Sequence, residues 1–328
     1  MISRKSVIIS ALSFAMFVFL SVSVNAQTIN EVIEAFNAAA EEVNTGNFET
    51  AISKFEDCID LATQLGDEGD EMKDRAEGQI PALYYKLATT AYKEKDYEGA
   101  ITRFEETVAA SEQYGNEDLK AKSLKYLPSL HNAVGNRKYK EGNYEAAMTH
   151  FDKAIEYKPD YAKAYFGKGQ VYQKQGDTEN MLATLEKTIE LSNAAGDEKT
   201  AKVASQKVRD HYYSIGRLAV KEDDYQTAVE NLTRALEYDA EFSEPYYLLS
   251  VMYNKEMSYD KAADNAEKAL LYDETEPQLK ARIYYELGNA YVGLVEYDKA
   301  CEAFANALYD PYTNTVKHKM ENVLNCDQ

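Results

Sequence analysis

A six-residue string recurs along this 328-residue chain, and that recurrence limits the fold more than any other feature. Gly46-Asn-Phe-Glu-Thr-Ala51 returns as Lys95-Asp-Tyr-Glu-Gly-Ala100, Gly142-Asn-Tyr-Glu-Ala-Ala147 and Asp223-Asp-Tyr-Gln-Thr-Ala228. Shorter versions are Ser258-Tyr-Asp-Lys-Ala262 and Glu296-Tyr-Asp-Lys-Ala300, and a weaker copy ends at Met181. The anchors at 51, 100, 147, 181, 228, 262 and 300 are spaced by 34 residues or by longer steps of 38 to 49. A period of this size means a stacked array, each unit one supersecondary element that cannot bury its apolar face alone. With only 15 Gly and 6 Pro the chain lacks the turns of a β protein, while abundant Ala, Glu, Lys and Leu favour helix.

Each unit has the same packing code. Its first half carries a small residue (Ala39, Ala88, Gly135, Gly169, Gly216, Ser250, Gly288), which lets two helix backbones approach closely. Its second half carries a ridge at Phe55, Phe104, Phe151, Leu185, Leu232, Ala266 and Phe304. The fullest copy, residues 128–161, combines Gly135, Gly142, Tyr144, Ala147, Phe151, Ala154 and Pro159. Another holds Tyr284, Leu287, Gly288, Tyr291, Tyr297, Ala300, Phe304 and Ala307. These positions resemble the tetratricopeptide repeat (TPR), a helix-turn-helix hairpin. The resemblance implies an all-α protein, a right-handed α-solenoid of about seven hairpins at 32–65, 81–114, 128–161, 162–195, 209–242, 243–276 and 281–314. A C-terminal capping helix at 312–325 would close the array, which fills 27–328 as a single domain.

Three gaps hold inserts of 13 to 15 residues, sharing Gly66-Asp-Glu, Gly115-Asn-Glu and Gly196-Asp-Glu. Each reads as extra turns on both flanking helices around a glycine C-cap, adding roughly 20 Å of helix. Pro81 and Pro128 are expected inside lengthened first helices, where proline kinks the backbone.

Residues 1–26 read as a secretory signal peptide: Arg4 and Lys5, an apolar run from Val7 to Leu20, then Val24-Asn25-Ala26. An uncleaved anchor is the rival, but the run is shorter than the roughly 20 residues needed to span a bilayer. The expectation is therefore export, periplasmic in a Gram-negative source and secreted otherwise, with no stable membrane anchor after cleavage. Cleavage removes two positive charges, taking the formal charge from −20 to −22. Such acidity speaks against nucleic acid as partner.

Catalytic signals are weak. His131, His150, His211 and His318 show no metal-ligand spacing, and no phosphate loop or nucleophile elbow occurs. The acidic run from Asp67 to Glu77 lacks calcium-loop spacing and reads as a solvated turn. Cys58 occupies a small packing slot and is expected as a buried thiol. An antiparallel cap with Val316, Met320, Val323 and Leu324 inward would bring Cys326 near Cys301, so these two are candidates for a disulfide, with free thiols the alternative. The chain is read as non-catalytic, with no metal and no cofactor.

The resemblance assigns a concave groove to the first helices. Its aromatic and polar positions here are Phe36, Tyr85, Asn132, Phe166, Tyr213, Tyr247 and Tyr285, with Asn136, Gln170, Arg217 and Asn289 one turn on. Lys93, Lys140, Lys174, Lys221 and Lys255 add a cationic row. In the Tyr-Tyr doublets one ring is expected to pack inward while its neighbour faces the groove. The implied function is a cell-envelope scaffold holding a protein or extended peptide in this groove; self-association stays open. A glycan or polymer binder using the same tyrosines is the alternative.

Overall fold

A computed structural model describes residues 28–326, so the expected signal peptide lies outside the described residues. Within them the chain is all-α. The helices gather into two compact units, one holding the chain up to Thr89 with Glu105–Lys120, the other Thr90–Phe104 with the chain from Ala121 onward.

The helices are α1 (Ile29–Thr45), α2 (Phe48–Leu65), α3 (Asp70–Glu77), α4 (Ile80–Lys93), α5 (Tyr97–Gln113) and α6 (Glu117–Lys140). There follow α7 (Tyr144–Tyr157), α8 (Ala162–Gln175), α9 (Thr178–Ala195), α10 (Glu198–Lys221) and α11 (Tyr225–Tyr238). The chain continues with α12 (Ser243–Lys255), α13 (Tyr259–Tyr272), α14 (Pro277–Gly293), α15 (Tyr297–Asn306) and α16 (Thr313–Lys319). In the second unit each helix from α7 to α15 packs on the next, and α8, α10, α12 and α14 also pack side by side. That second contact is what stacks hairpins rather than merely pairing helices.

Local chemistry sets the boundaries. Asn143, Asp177, Asp197 and Asp224 each accept from the backbone N–H three residues on, capping α7, α9, α10 and α11. Such a cap contributes about 1 kcal/mol. The turn joining the two helices of a hairpin passes through the left-handed region, at Gly46, Gly142 and Gly176 but also at Lys95, Asp223, Met257 and Val295. Val295 is the least suited of these, because a β-branched side chain crowds the carbonyl there.

The ridge residues are all buried, and the small slots opposite them are filled by the ridge itself. Phe151 shows this best. A Cβ on Gly135 of α6 would come within 2.7 Å of its ring, and one on Gly167 of α8 within 2.4 Å. The ring is held between two glycines on neighbouring hairpins.

The second and third inserts lengthen helices as expected: α6 and α10 reach 24 residues where α7 and α11 have 14. The first insert does so on one side only, since α2 has 18 residues as α9 has. Helix α2 stops at Leu65, Gly66–Glu68 form a 3-10 turn, and α3 is a separate eight-residue helix packed on α1 and α2. Gly66, Gly69 and Gly78 are the reason. A Cβ on Gly69 would lie 2.2 Å from the Ala62 carbonyl oxygen, so only glycine allows the chain to fold back there. Pro81 accordingly falls in the first turn of α4, where its missing N–H leaves no bond unmade, rather than inside a helix; Pro128 lies inside α6.

The cap also departs from expectation. After α16 the backbone widens into a π-helical turn, Met320–Leu324. The wider turn advances each later side chain, so Val316 is buried, Met320 and Leu324 are partly buried, and Val323 faces solvent. The Cys326 and Cys301 sulfurs are joined in a disulfide.

Candidate groove on the first helices

Four of the sequence-derived groove residues meet in one cavity of about 360 Å³ in the second unit: Asn132 and Asn136 of α6, Phe166 and Gln170 of α8. One-turn spacing explains the pairs, since residues four apart on a helix share a face. Lys163 of the same α8 face joins them. The far wall is Asp197, Lys199, Thr200 and Val203, all from the added turns of α10 or the cap that begins them. Asp197 is fixed by the Thr200 hydroxyl (2.7 Å) and backbone N–H (3.1 Å), and these bonds hold its carboxyl below the usual range. Two lysines against one aspartate make this spot locally cationic in an acidic chain.

The chemistry of the cavity is that of amide recognition. Three carboxamides offer both donors and acceptors, while Phe166 and Val203 supply apolar surface. The Asn132 Oδ1 is buried without a hydrogen-bond partner among the described residues. A buried acceptor left unpaired costs about 1–3 kcal/mol.

The aromatic positions elsewhere are contacted by the chain's own side chains, although Phe36 and Tyr285 also line cavities. In the first unit Arg75 of α3 lies 4.7 Å from the Phe36 ring, and Met72 closes the same hollow. Tyr85 is half-buried in that unit. In the second unit Tyr213 packs edge-on to Phe242 at 5.0 Å. Arg282, paired with Glu244, covers Tyr247 at 4.6 Å, and Tyr285 meets Tyr312 of the cap at 4.9 Å. Burial pushes the Tyr213 and Tyr247 phenols up. The doublet expectation is therefore corrected. The first ring, Tyr212 or Tyr246, stacks on Tyr238 or Tyr272 of its own hairpin. The second ring packs on Phe242 in the case of Tyr213 and lies under Arg282 of α14 in the case of Tyr247, while Tyr285 touches Tyr312 and also lines a cavity.

Lys93, Lys140, Lys174, Lys221 and Lys255 are all exposed, and each sits in the last turn of its helix. There a cation meets the negative end of the helix dipole, an interaction of about 0.3–1 kcal/mol that needs no ligand. Lys255 is paired with Asp223 and lines a second cavity; Arg217 is exposed one turn before Lys221.

That second cavity, about 490 Å³, gathers Asn254, Lys255, Tyr285, Glu286, Asn289 and Lys319. Asn254, Glu286 and Lys319 were absent from the sequence reading. Asn254 Nδ2 donates to the Glu286 carboxylate (2.8 Å) and backbone carbonyl (2.9 Å), and Lys319 Nζ donates to Asn289 Oδ1 (2.9 Å). Burial raises the Glu286 carboxyl despite both asparagines and both lysines.

Two histidines that the sequence separates are also in contact: His131 Nδ1 of α6 lies 3.1 Å from His150 Nδ1 of α7. A hairpin brings i and i+19 together, which linear spacing rules do not test. No group of three or more His, Cys, Asp or Glu is placed to hold a metal among the described residues. None of the described helices is long and apolar enough to cross a membrane.

Family models described as TPR repeat or tetratricopeptide repeat match residues 135–176, 162–194, 213–270 and 281–309. Among solved structures, YrrB, "a TPR protein with an unusual peptide-binding site", is 22% identical, covering 58% of this chain and 91% of its own at TM-score 0.32. MamA is 22% identical over 60% of this chain and 96% of its own, at 0.31. The TPR2AB domain of yeast Sti1 in complex with pHSP90 is 20% identical over 74% and 96%, at 0.31. No curated protein matches the chain.

Proposed function

We propose, from the premise that this chain carries tetratricopeptide repeats, that it is a non-catalytic adaptor which holds an extended polypeptide segment against α6, α8 and α10. One observation carries the reading: Asn132, Asn136 and Gln170 converge with Phe166 and Val203 on one cavity. Carboxamides in a row suit a main chain, whose N–H and C=O alternate, better than a particular side chain. Lys163 and Lys199 favour a segment that also bears carboxylates. A glycan reading has less support, because it needs a row of exposed tyrosine faces and both Tyr213 and Tyr247 are covered by the chain's own residues. Export through residues 1–26 would place the adaptor in the cell envelope, and an N-terminus at Gln27 on the mature protein would show it.

The test is a photo-crosslinking residue at Val203 in the full-length chain, expressed in its own cells. A discrete protein adduct is expected, lost on Asn132→Ala with Gln170→Ala. Absence of an adduct, or one indifferent to both substitutions, refutes the reading.

A further inference from the structure

The second cavity is built from acceptors, and the chain fills it with its own cation. Lys319, the last residue of α16, donates one hydrogen bond to Asn289 Oδ1 at 2.9 Å. Its ammonium stands 5.7 Å from the Tyr285 ring and 5.5 Å from the Phe304 ring, within cation–π range. Glu286 lies in the same hollow, its carboxylate fixed by Asn254. Asn254 Oδ1, the other end of that amide, is buried and has no hydrogen-bond partner among the described residues. Lys255 at the rim is paired with Asp223.

These facts fit together in one way. An ammonium carries three donors, and the described hydrogen bonds of Lys319 use one. The residues around the cavity still include a carboxylate and an amide oxygen that is buried without a partner among the described residues. Lys319 therefore occupies the site without completing it. It also comes from the end of the chain, on a short helix followed by a π-helical turn, and not from the repeats that build the hollow.

We propose that Asn254, Tyr285, Glu286 and Asn289 form a subsite for a lysine side chain of a bound polypeptide, which Lys319 fills in its absence. The ligand class is a primary ammonium on an alkyl stem: the rings take the stem and the cation, the two asparagine oxygens and Glu286 take the N–H groups. An incoming lysine must displace Lys319, so the cap sets how tightly this end of the groove binds. The partner in this statement rests on the groove reading above; the preference for an ammonium does not.

The experiment uses the full chain with Lys319→Ala and N-acetyl-lysinamide as probe, N-acetylnorleucinamide being the neutral control of similar length. Side-chain amide NMR signals of Asn254 and Asn289 report the site directly. In Lys319→Ala the lysine probe is expected to shift both signals at least 10-fold more strongly than in wild type, and the norleucine probe to shift neither. Glu286→Gln with Asn289→Ala in the same background should abolish the response. Lys319→Met keeps the stem and the Cys301–Cys326 link, so unchanged cap signals there show that the fold survives loss of the charge. Equal responses in wild type and Lys319→Ala, or equal responses to the two probes, overturn the proposal. A subsite that passes while the Val203 adduct fails would leave the ammonium preference standing and remove the groove reading; the reverse result removes only the subsite.

Discussion

Gly167→Ala places one methyl group where the structure has least room for it. The new Cβ would lie 2.4 Å from Cε1 and Cζ of Phe151, about 1 Å inside ordinary contact. A ring at the edge of a core could retreat, but this one is fully buried and is also approached by Gly135, where a Cβ would be 2.7 Å away. Overpacking costs about 1–3 kcal/mol, and the clamp puts this site at the upper end. Replacing glycine by alanine in a helix returns about 1 kcal/mol. The net expectation is about 1–2 kcal/mol of destabilisation, confined to the third and fourth hairpins. Because repeat arrays unfold piecewise, the assay is hydrogen exchange resolved to α6, α7 and α8 rather than a global melt. Phe151→Leu should relieve the clash, so the double variant should be less destabilised than the two single changes predict by about 1 kcal/mol or more. Phe151→Ala alone, emptying a fully buried site, should cost about 3–5 kcal/mol. Protection in Gly167→Ala equal to wild type, or additive single and double variants, would refute the clamp. Gly167 adjoins Phe166, so the same variant should weaken the Val203 adduct.

Val295→Gly should stabilise the last hairpin by about 0.5–1 kcal/mol, because Val295 holds φ 63° while 67% exposed and loses no packing when replaced. Thermal melts against Val295→Ala, which keeps the Cβ and gains less, would check it. Acid should loosen the third hairpin: burial holds the His150 imidazole below its usual range, so the folded state binds its proton less readily than the unfolded chain. Its stability contribution is present above pH 6.5 and lost as pH falls through the lower folded value; His150→Gln should flatten that dependence between pH 7.5 and 5.

The hairpins were legible because their code is steric and periodic: a small residue on one helix, a large one opposite, every 34 residues or more. Asn132, Asn136, Phe166 and Gln170 were legible for the same reason, as fixed positions within the period. What stayed hidden lies outside it. Asp197, Lys199, Thr200 and Val203 belong to an insert, and nothing in their spacing says that extra turns of α10 will form a wall. The cations over Phe36 and Tyr285 come from α3 and α16, which belong to no repeat. The lysine row was legible as a pattern but has a local cause, the helix C-terminus. The separate α3 could have been read from three glycines within 13 residues, a density no other insert has.

The wall supplied by α10 has a consequence for how such a protein can change. Its residues face the cavity from turns that lie outside the stacking code, and among them Lys199 and Val203 are exposed. In the proposed reading, substituting them would rewrite what the cavity accepts while every ridge and slot keeps its partner. Recognition and assembly would then be written on different stretches of one helix, and the first could drift without endangering the second.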